Sequence, residues 1–217
     1  MKSVKIVLLA VVTALMVSCG TTRVVPISGR TQTLLVNDEQ VLSLSNQEYS
    51  NFMKSAKVST NSANTAMVKR VGQRLASAVE SYLKSNGLSS EVKNFSWEFN
   101  LVQNKEANAF CMPGGKIVVY EGLLPYTQNE ASLAIVLGHE IAHAVAKHSA
   151  EQMSTQIRNQ YGTQILGGVL EAAGVSSTTT QLAQILTQKG LQFRSLKYSR
   201  NHETEADRMG LIFAAMA

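Results

Sequence analysis

The chain has 217 residues, is 45% hydrophobic and only 6% aromatic, and carries a formal charge of +5. That is enough apolar material for one domain with a real core, and the Ala, Val, Leu and Ser content favours a mostly helical α+β domain over an all-β one. No basic cluster is interleaved with aromatics, so nucleic acid is excluded as an expected partner.

At the N-terminus, Lys2 and Lys5 precede an apolar run from Ile6 to Val17, broken only by Thr13. Such a run is too short to span a bilayer and has the character of a secretory signal. It ends in Met16-Val17-Ser18-Cys19-Gly20, which resembles a bacterial lipoprotein cleavage box. Residues 1–18 are therefore expected to be a signal peptide, with Cys19 lipidated and the domain held at a membrane by acyl chains. Removing Lys2 and Lys5 from the 20 basic residues leaves 18 against 15 acidic, or +3. Cys111 is then the sole thiol, which rules out an intrachain disulfide. It lies in the apolar run Ala109-Phe110-Cys111-Met112 and reads as a packed small residue.

Residues 20–36, with Pro26 and Gly29, read as an extended tether. Ser45-Asn46-Gln47-Glu48 has the form of a capping box and predicts a short helix over 46–57. The polar stretch 58–65 predicts a loop. Val68, Val71, Leu75, Val79, Tyr82 and Leu83 recur at three- and four-residue steps, predicting a helix over 66–84 that Asn86-Gly87 ends. Alternation over 95–101 predicts a strand, and Lys116–Tyr120 a second one, entered through the turn Pro113-Gly114-Gly115. One long helix is expected over 129–153, then a Gly- and Ser/Thr-rich mobile segment over 162–180 that could act as a lid. A last helix is expected to begin near His202.

The chemistry concentrates in His139-Glu140-Ile141-Ala142-His143. Histidines four apart share a helix face, one turn apart, and can aim two nitrogens at one ion. Glu140 is offset around the helix, where it can reach a water polarised by that ion and act as general base. The surrounding residues are apolar, and burying two His and a Glu is costly unless something partners them. Zinc needs a third protein ligand. His148 falls about half a turn away and is rejected. In Glu203-Thr204-Glu205-Ala206-Asp207, Glu203 and Asp207 share a face, so Glu203 can ligate while Asp207 accepts the outer N–H of a ligand histidine. Glu205 is expected to point elsewhere, as a solvated or packing residue, and His202 to lie off the shared face.

These motifs, with Ser199-Arg200 ahead of the second, resemble the HtpX and CAAX-prenyl-protease family of zinc endopeptidases. The stretch Asn108-Ala109-Phe110-x-x-Pro113-Gly114-Gly115-Lys116-Ile117-x-Val119-x-x-Gly122-Leu123-Leu124 is also similar to that family. The resemblance runs from about residue 64 to the end, and the lipoprotein box suggests the family's periplasmic lipoprotein branch.

It implies a gluzincin-like α+β fold with a small sheet and an active-site helix. One Zn2+ would be held by His139, His143 and Glu203, with Glu140 as general base. It also implies a substrate-binding edge strand that includes Asn108, Ala109, Phe110, Gly114 and Gly115, which an extended peptide would join by strand addition. The expected organisation is signal peptide 1–18, tether and short helix 19–63, and peptidase domain 64–217. The apolar ending Leu211–Ala217 reads as a domain stopped early. The family supplies an oxyanion-stabilising His or Arg beyond that point, and Arg200 is the nearest candidate within the chain. The expected function is hydrolysis of misfolded or unassembled envelope proteins, in a periplasmic lipoprotein of the outer rather than the inner membrane. The competing reading is a non-proteolytic chaperone or assembly factor that retains the zinc site.

Overall fold

The computed structural model describes residues 20–165, Phe193 and residues 196–217. Most of the 162–180 segment expected to act as a lid lies outside these residues. The described structure is α+β and mainly helical.

Residues 20–36 are not an extended tether. Strands β1 (Thr21–Val24) and β2 (Thr31–Leu34) form an antiparallel hairpin, with Thr21 opposite Leu34 and Val24 opposite Thr31. The Val25 N–H donates to the Arg30 carbonyl at 2.8 Å and closes the turn. Local polarity suggested a tether, but Val25, Leu34 and Val36 are buried against later helices.

Helix α1 (Asp38–Ser55) starts earlier than the expected 46–57. Asn37 and Gln40 form the capping box, each side chain accepting the other's backbone N–H, at 2.9 and 3.1 Å. Ser45 lies inside the helix, fully buried, where its hydroxyl donates to the Pro113 carbonyl at 2.7 Å. Both sequence patterns could cap a helix. The upstream one acts because Val41, Ser45 and Tyr49 then fall on one buried stripe.

Helix α2 (Ser62–Ser85) starts four residues before the expected Ala66, because the Asn61 side chain accepts the Asn64 N–H. Its face of Val68, Val71, Leu75, Val79 and Leu83 is buried as the spacing requires. It ends at Asn86, followed by Gly87 at φ 74°. A short turn of helix, α3 (Ser89–Val92), leads into the sheet.

The sheet comprises β3 (Glu98–Val102), β4 (Ala109–Met112) and β5 (Lys116–Tyr120) in the order β3-β5-β4. β3 runs parallel to β5 and β4 antiparallel to it, with Phe110 opposite Val118 and Met112 opposite Lys116. Period-two alternation divides the side chains. Phe99, Leu101, Ala109, Cys111, Ile117 and Val119 enter the main core with α2 and two later helices. Val102, Phe110, Met112, Val118 and Tyr120 form a second cluster with Tyr49, Phe52 and Met53 of α1. The small sheet is thus covered on both faces. Between β4 and β5 the chain reverses through Gly114 (φ 88°) and Gly115 (φ 80°); a Cβ at Gly115 would meet the Trp97 ring at 2.5 Å.

After α4 (Leu124–Thr127), the expected helix over 129–153 is two helices: α5 (Glu130–Val145) and α6 (His148–Ile165). Lys147 is left-handed, at φ 56°. The reversal is held from outside. Lys147 Nζ pairs with Asp38 at 2.7 Å and Glu91 at 2.8 Å, while Gln32 Nε2 donates to the Ala146 carbonyl at 3.0 Å. None of these partners is near in sequence, so residue spacing alone reads straight through the break.

Helix α7 (Arg200–Met216) starts where Ser199 accepts the His202 N–H, close to the expected position. It packs along α5 at Gly138 and Gly210, where each glycine faces the other helix's backbone. Among the described residues, no helix is long and apolar enough to cross a membrane.

Candidate metal centre

Two helices supply the site. His139 and His143 stand one turn apart on α5, and Glu203 projects from the first turn of α7. The close α5–α7 crossing brings them together. His139 Nε2 lies 3.1 Å from His143 Nε2 and 3.4 Å from Glu203 Oε2, and His143 Nε2 lies 3.8 Å from that same oxygen. Four donors at about 2.0–2.1 Å around a tetrahedral ion stand roughly 3.3 Å apart. The observed separations match that figure, so the His–His–Glu set can hold a divalent metal such as Zn2+.

The hydrogen bonds behind the histidines are consistent with this. Asp207 Oδ1 lies 2.8 Å from His139 Nδ1, which donates to it and leaves Nε2 as the atom turned toward His143 and Glu203. His143 Nδ1 lies 2.8 Å from His148 Nδ1, and His148 Nε2 lies 2.8 Å from Glu205 Oε2. Burial, followed by the neighbouring His148, His139 and His202, pushes His143 down to about 2. Burial likewise lowers His148 to about 4, so both rings are neutral near pH 7.

His148 is not among the three residues that face one another at the cluster. It is nonetheless part of the site. On a straight helix, residues 143 and 148 would project about 140° apart. The Lys147 reversal turns His148 back to face His143.

Glu205 departs from expectation. It is neither solvated nor incidental: only 9% exposed, it accepts from His148 and from the Arg30 guanidinium. Burial alone would raise its carboxyl, but hydrogen bonds from Arg30, Ser28 and His148 outweigh that and hold it at about 2. His202 is also buried, with Nε2 3.2 Å from Glu151 and its ring stacked 4.4 Å from that of His148. Tyr198, which no motif singled out, stacks on the His143 ring at 4.1 Å, and its hydroxyl contacts Ser149 Oγ at 2.8 Å. Arg200 is exposed at the start of α7.

Glu140 turns toward the sheet. Burial and the Glu203 carboxylate raise it to about 8, and a hydrogen bond from the Cys111 backbone N–H opposes them. That bond reveals the lie of the edge strand. The Tyr120 N–H donates to the Asn108 carbonyl at 3.0 Å. Antiparallel alternation then turns the backbone of 110 and 112 inward to β5, and that of 109 and 111 outward from the sheet. β4 is thus a sheet edge lying beside Glu140, with Asn108 just before it and Gly114 and Gly115 in the turn after it. Cys111 is buried in the core, where burial and then Glu140 keep its thiol protonated.

The Peptidase family M48 model matches residues 62–217. Mitochondrial metalloendopeptidase OMA1 of Schizosaccharomyces pombe is 38% identical over 128 residues, covering 59% of this chain and 35% of that protein. The human metalloendopeptidase OMA1, mitochondrial, is 31% identical over 193 residues, covering 88% of this chain and 36% of that protein. The beta-barrel assembly-enhancing protease of Escherichia coli strain K12 is 36% identical over 122 residues, covering 53% of this chain and 24% of that protein. The chain spans about a third of the length of the two OMA1 proteins and about a quarter of the Escherichia coli protease. With its His–His–Glu cluster inside the matched region, the chain belongs to peptidase family M48 and carries a metalloendopeptidase domain of that family.

Proposed function

We propose that this chain is a zinc-dependent endopeptidase of the bacterial cell envelope, with His139, His143 and Glu203 as the zinc ligands. The observation that carries this reading is the spacing of the three donor atoms, 3.1 to 3.8 Å, around one point. Bound there, zinc supplies a Lewis acid that polarises a carbonyl and lowers the pKa of a water toward 7. The remaining work falls to the chain itself. Glu140 takes a proton from the attacking water and delivers it to the leaving nitrogen, from a position beside the cluster where the Cys111 N–H holds its carboxyl. Asp207 holds the His139 ring in the tautomer that presents Nε2. The outward N–H and C=O of Ala109 offer an extended substrate a strand to pair with, directly beside Glu140.

The substrates in this reading are misfolded or unassembled envelope proteins, and the attachment is a lipid on Cys19, with the outer membrane favoured. The signal-like residues 1–18 and the cleavage box support it. β1 begins at Thr21, so acyl chains on Cys19 would hold the peptidase domain, residues 64–217, close to the bilayer surface.

Glu140→Gln is the test. It should abolish zinc-dependent cleavage of casein while the protein still binds one zinc per chain. Cleavage at the parental rate would refute the assignment of Glu140, and absence of stoichiometric zinc in the parent would refute the zinc site.

A further inference from the structure

His143 is the more buried of the two metal-facing histidines, and its second nitrogen leads into a chain of polar contacts that ends on the N-terminal hairpin. Beyond the His143–His148 and His148–Glu205 contacts, Arg30 donates from Nε to both Glu205 oxygens at 3.1 Å and from Nη2 to Oε2 at 2.7 Å. The same guanidinium donates to both Glu151 oxygens, at 2.7 and 2.8 Å. Gln32, on β2, adds a hydrogen bond to Glu151 at 2.8 Å and caps α5 through the Ala146 carbonyl. Arg30 and Gln32 both lie ahead of the family-matched region, which begins at residue 62.

Proton positions along this chain follow from donor and acceptor capacity. A carboxylate paired with a guanidinium offers only lone pairs, so the atom facing it, His148 Nε2, carries hydrogen. A neutral imidazole has one such hydrogen, so His148 Nδ1 presents a lone pair to His143. The hydrogen between the two rings therefore belongs to His143 Nδ1, and His143 Nε2 is left bare. If His148 donated from Nδ1 instead, His143 would carry its hydrogen on Nε2, the atom that faces the metal position. The choice between these states is made at Glu205, whose carboxylate Arg30 holds in place against His148 Nε2 by donating to both of its oxygens.

We propose that Arg30, acting through Glu205 and His148, is a positioning residue that locks His143 in its Nδ1–H tautomer, so that the β1–β2 hairpin is an outer part of the metal centre. The consequence for zinc rests on His143 being a ligand, as proposed above. The tautomer itself is a property of the metal-free protein.

Long-range 1H–15N correlation spectra of the metal-free, 15N-labelled full chain distinguish the two tautomers of His143. The parent should show Nδ1–H. Arg30→Met, Glu205→Leu and His148→Leu should each populate Nε2–H. His148→Gln should keep Nδ1–H, because the amide oxygen can accept the same hydrogen. In competition against a chelator, Arg30→Met and His148→Leu should bind zinc about 10- to 100-fold more weakly, with His148→Gln close to the parent.

A parent spectrum showing Nε2–H overturns the proposal. So does a folded Arg30→Met protein with parental tautomer and zinc affinity; should Arg30→Met fail to fold, Glu205→Leu decides by the same readout. A parent that shows Nδ1–H, responds to Arg30→Met and yet binds no zinc supports the relay and sinks the metal reading alone.

Discussion

Asp207 Oδ1 lies 2.8 Å from His139 Nδ1, a contact made across the α5–α7 crossing by a side chain that is itself exposed. An exposed pair of this kind adds little to folding, so its expected effect is on the orientation of the His139 ring. Removing such a partner from a metal-binding histidine typically weakens metal binding about 10- to 100-fold. Asp207→Leu should show that loss in chelator competition, and Asp207→Asn a smaller one because its amide oxygen still accepts the hydrogen. Equal zinc affinity in all three proteins would remove Asp207 from the site.

The distance between the two motifs is set by glycine. A Cβ on Gly138 would lie 2.6 Å from the Gly210 carbonyl oxygen, and one on Gly210 would lie 2.5 Å from the His139 backbone nitrogen. Both clashes are with backbone, so the helices themselves would have to separate. Gly210→Ala should lower stability by about 1–3 kcal/mol, the usual cost of overpacking, and weaken zinc binding in the same protein. The urea midpoint and a zinc titration check this; an unchanged midpoint would mean that the crossing is looser than the structure indicates.

Acid should unfold the metal-free protein in a defined window. Glu205 is held at about 2 in the folded state, against roughly 4.3 for an unfolded glutamate. Its contribution is therefore fully present above the unfolded value and lost as pH falls toward 2. His148 and His143, lowered to about 4 and about 2, act in the same direction, because the unfolded chain takes up protons first as pH drops below 6.5. Glu140 acts oppositely. Raised to about 8, it favours the folded state at low pH and loses that contribution as pH rises through 8. Below pH 4.5 Glu140 is protonated in both states, which leaves the acid limb unopposed. Denaturant titrations at fixed ionic strength should show stability falling between pH 4.5 and 2, with a flatter profile in Glu205→Gln; parallel profiles would contradict the assignment.

Local periodicity made much of the fold readable. The buried face of α2 follows from residues three and four apart, and the β5 strand from an apolar run bounded by a glycine turn. Where two local signals competed, local information was insufficient. Ser45-Asn46-Gln47-Glu48 has the form of a capping box, but burial of Val41 against the hairpin and α6 and of Tyr49 against the sheet places the helix start at Asn37. The α5–α6 break was unreadable for a related reason. Its only local mark is Lys147, an ordinary helix former, and the partners that stabilise its left-handed backbone are Asp38, Glu91 and Gln32.

The metal-facing set shows the same division. A helix repeats its faces every three to four residues, so the spacing of His139 with His143 and of Glu203 with Asp207 already places each pair on one side of its helix. Expecting the two pairs to meet needed only a crossing of two amphipathic helices. What surrounds them depends on contacts between distant parts of the chain. His148 faces His143 because Lys147 reverses the chain, Glu205 is held by Arg30 from 175 residues away, and Glu140 meets the Cys111 amide on a strand edge. Composition and spacing carry no trace of these partners. Their hydrogen bonds form only once burial of the apolar faces has brought their backbones together, so tertiary packing alone decided which polar groups stand behind the His–His–Glu cluster.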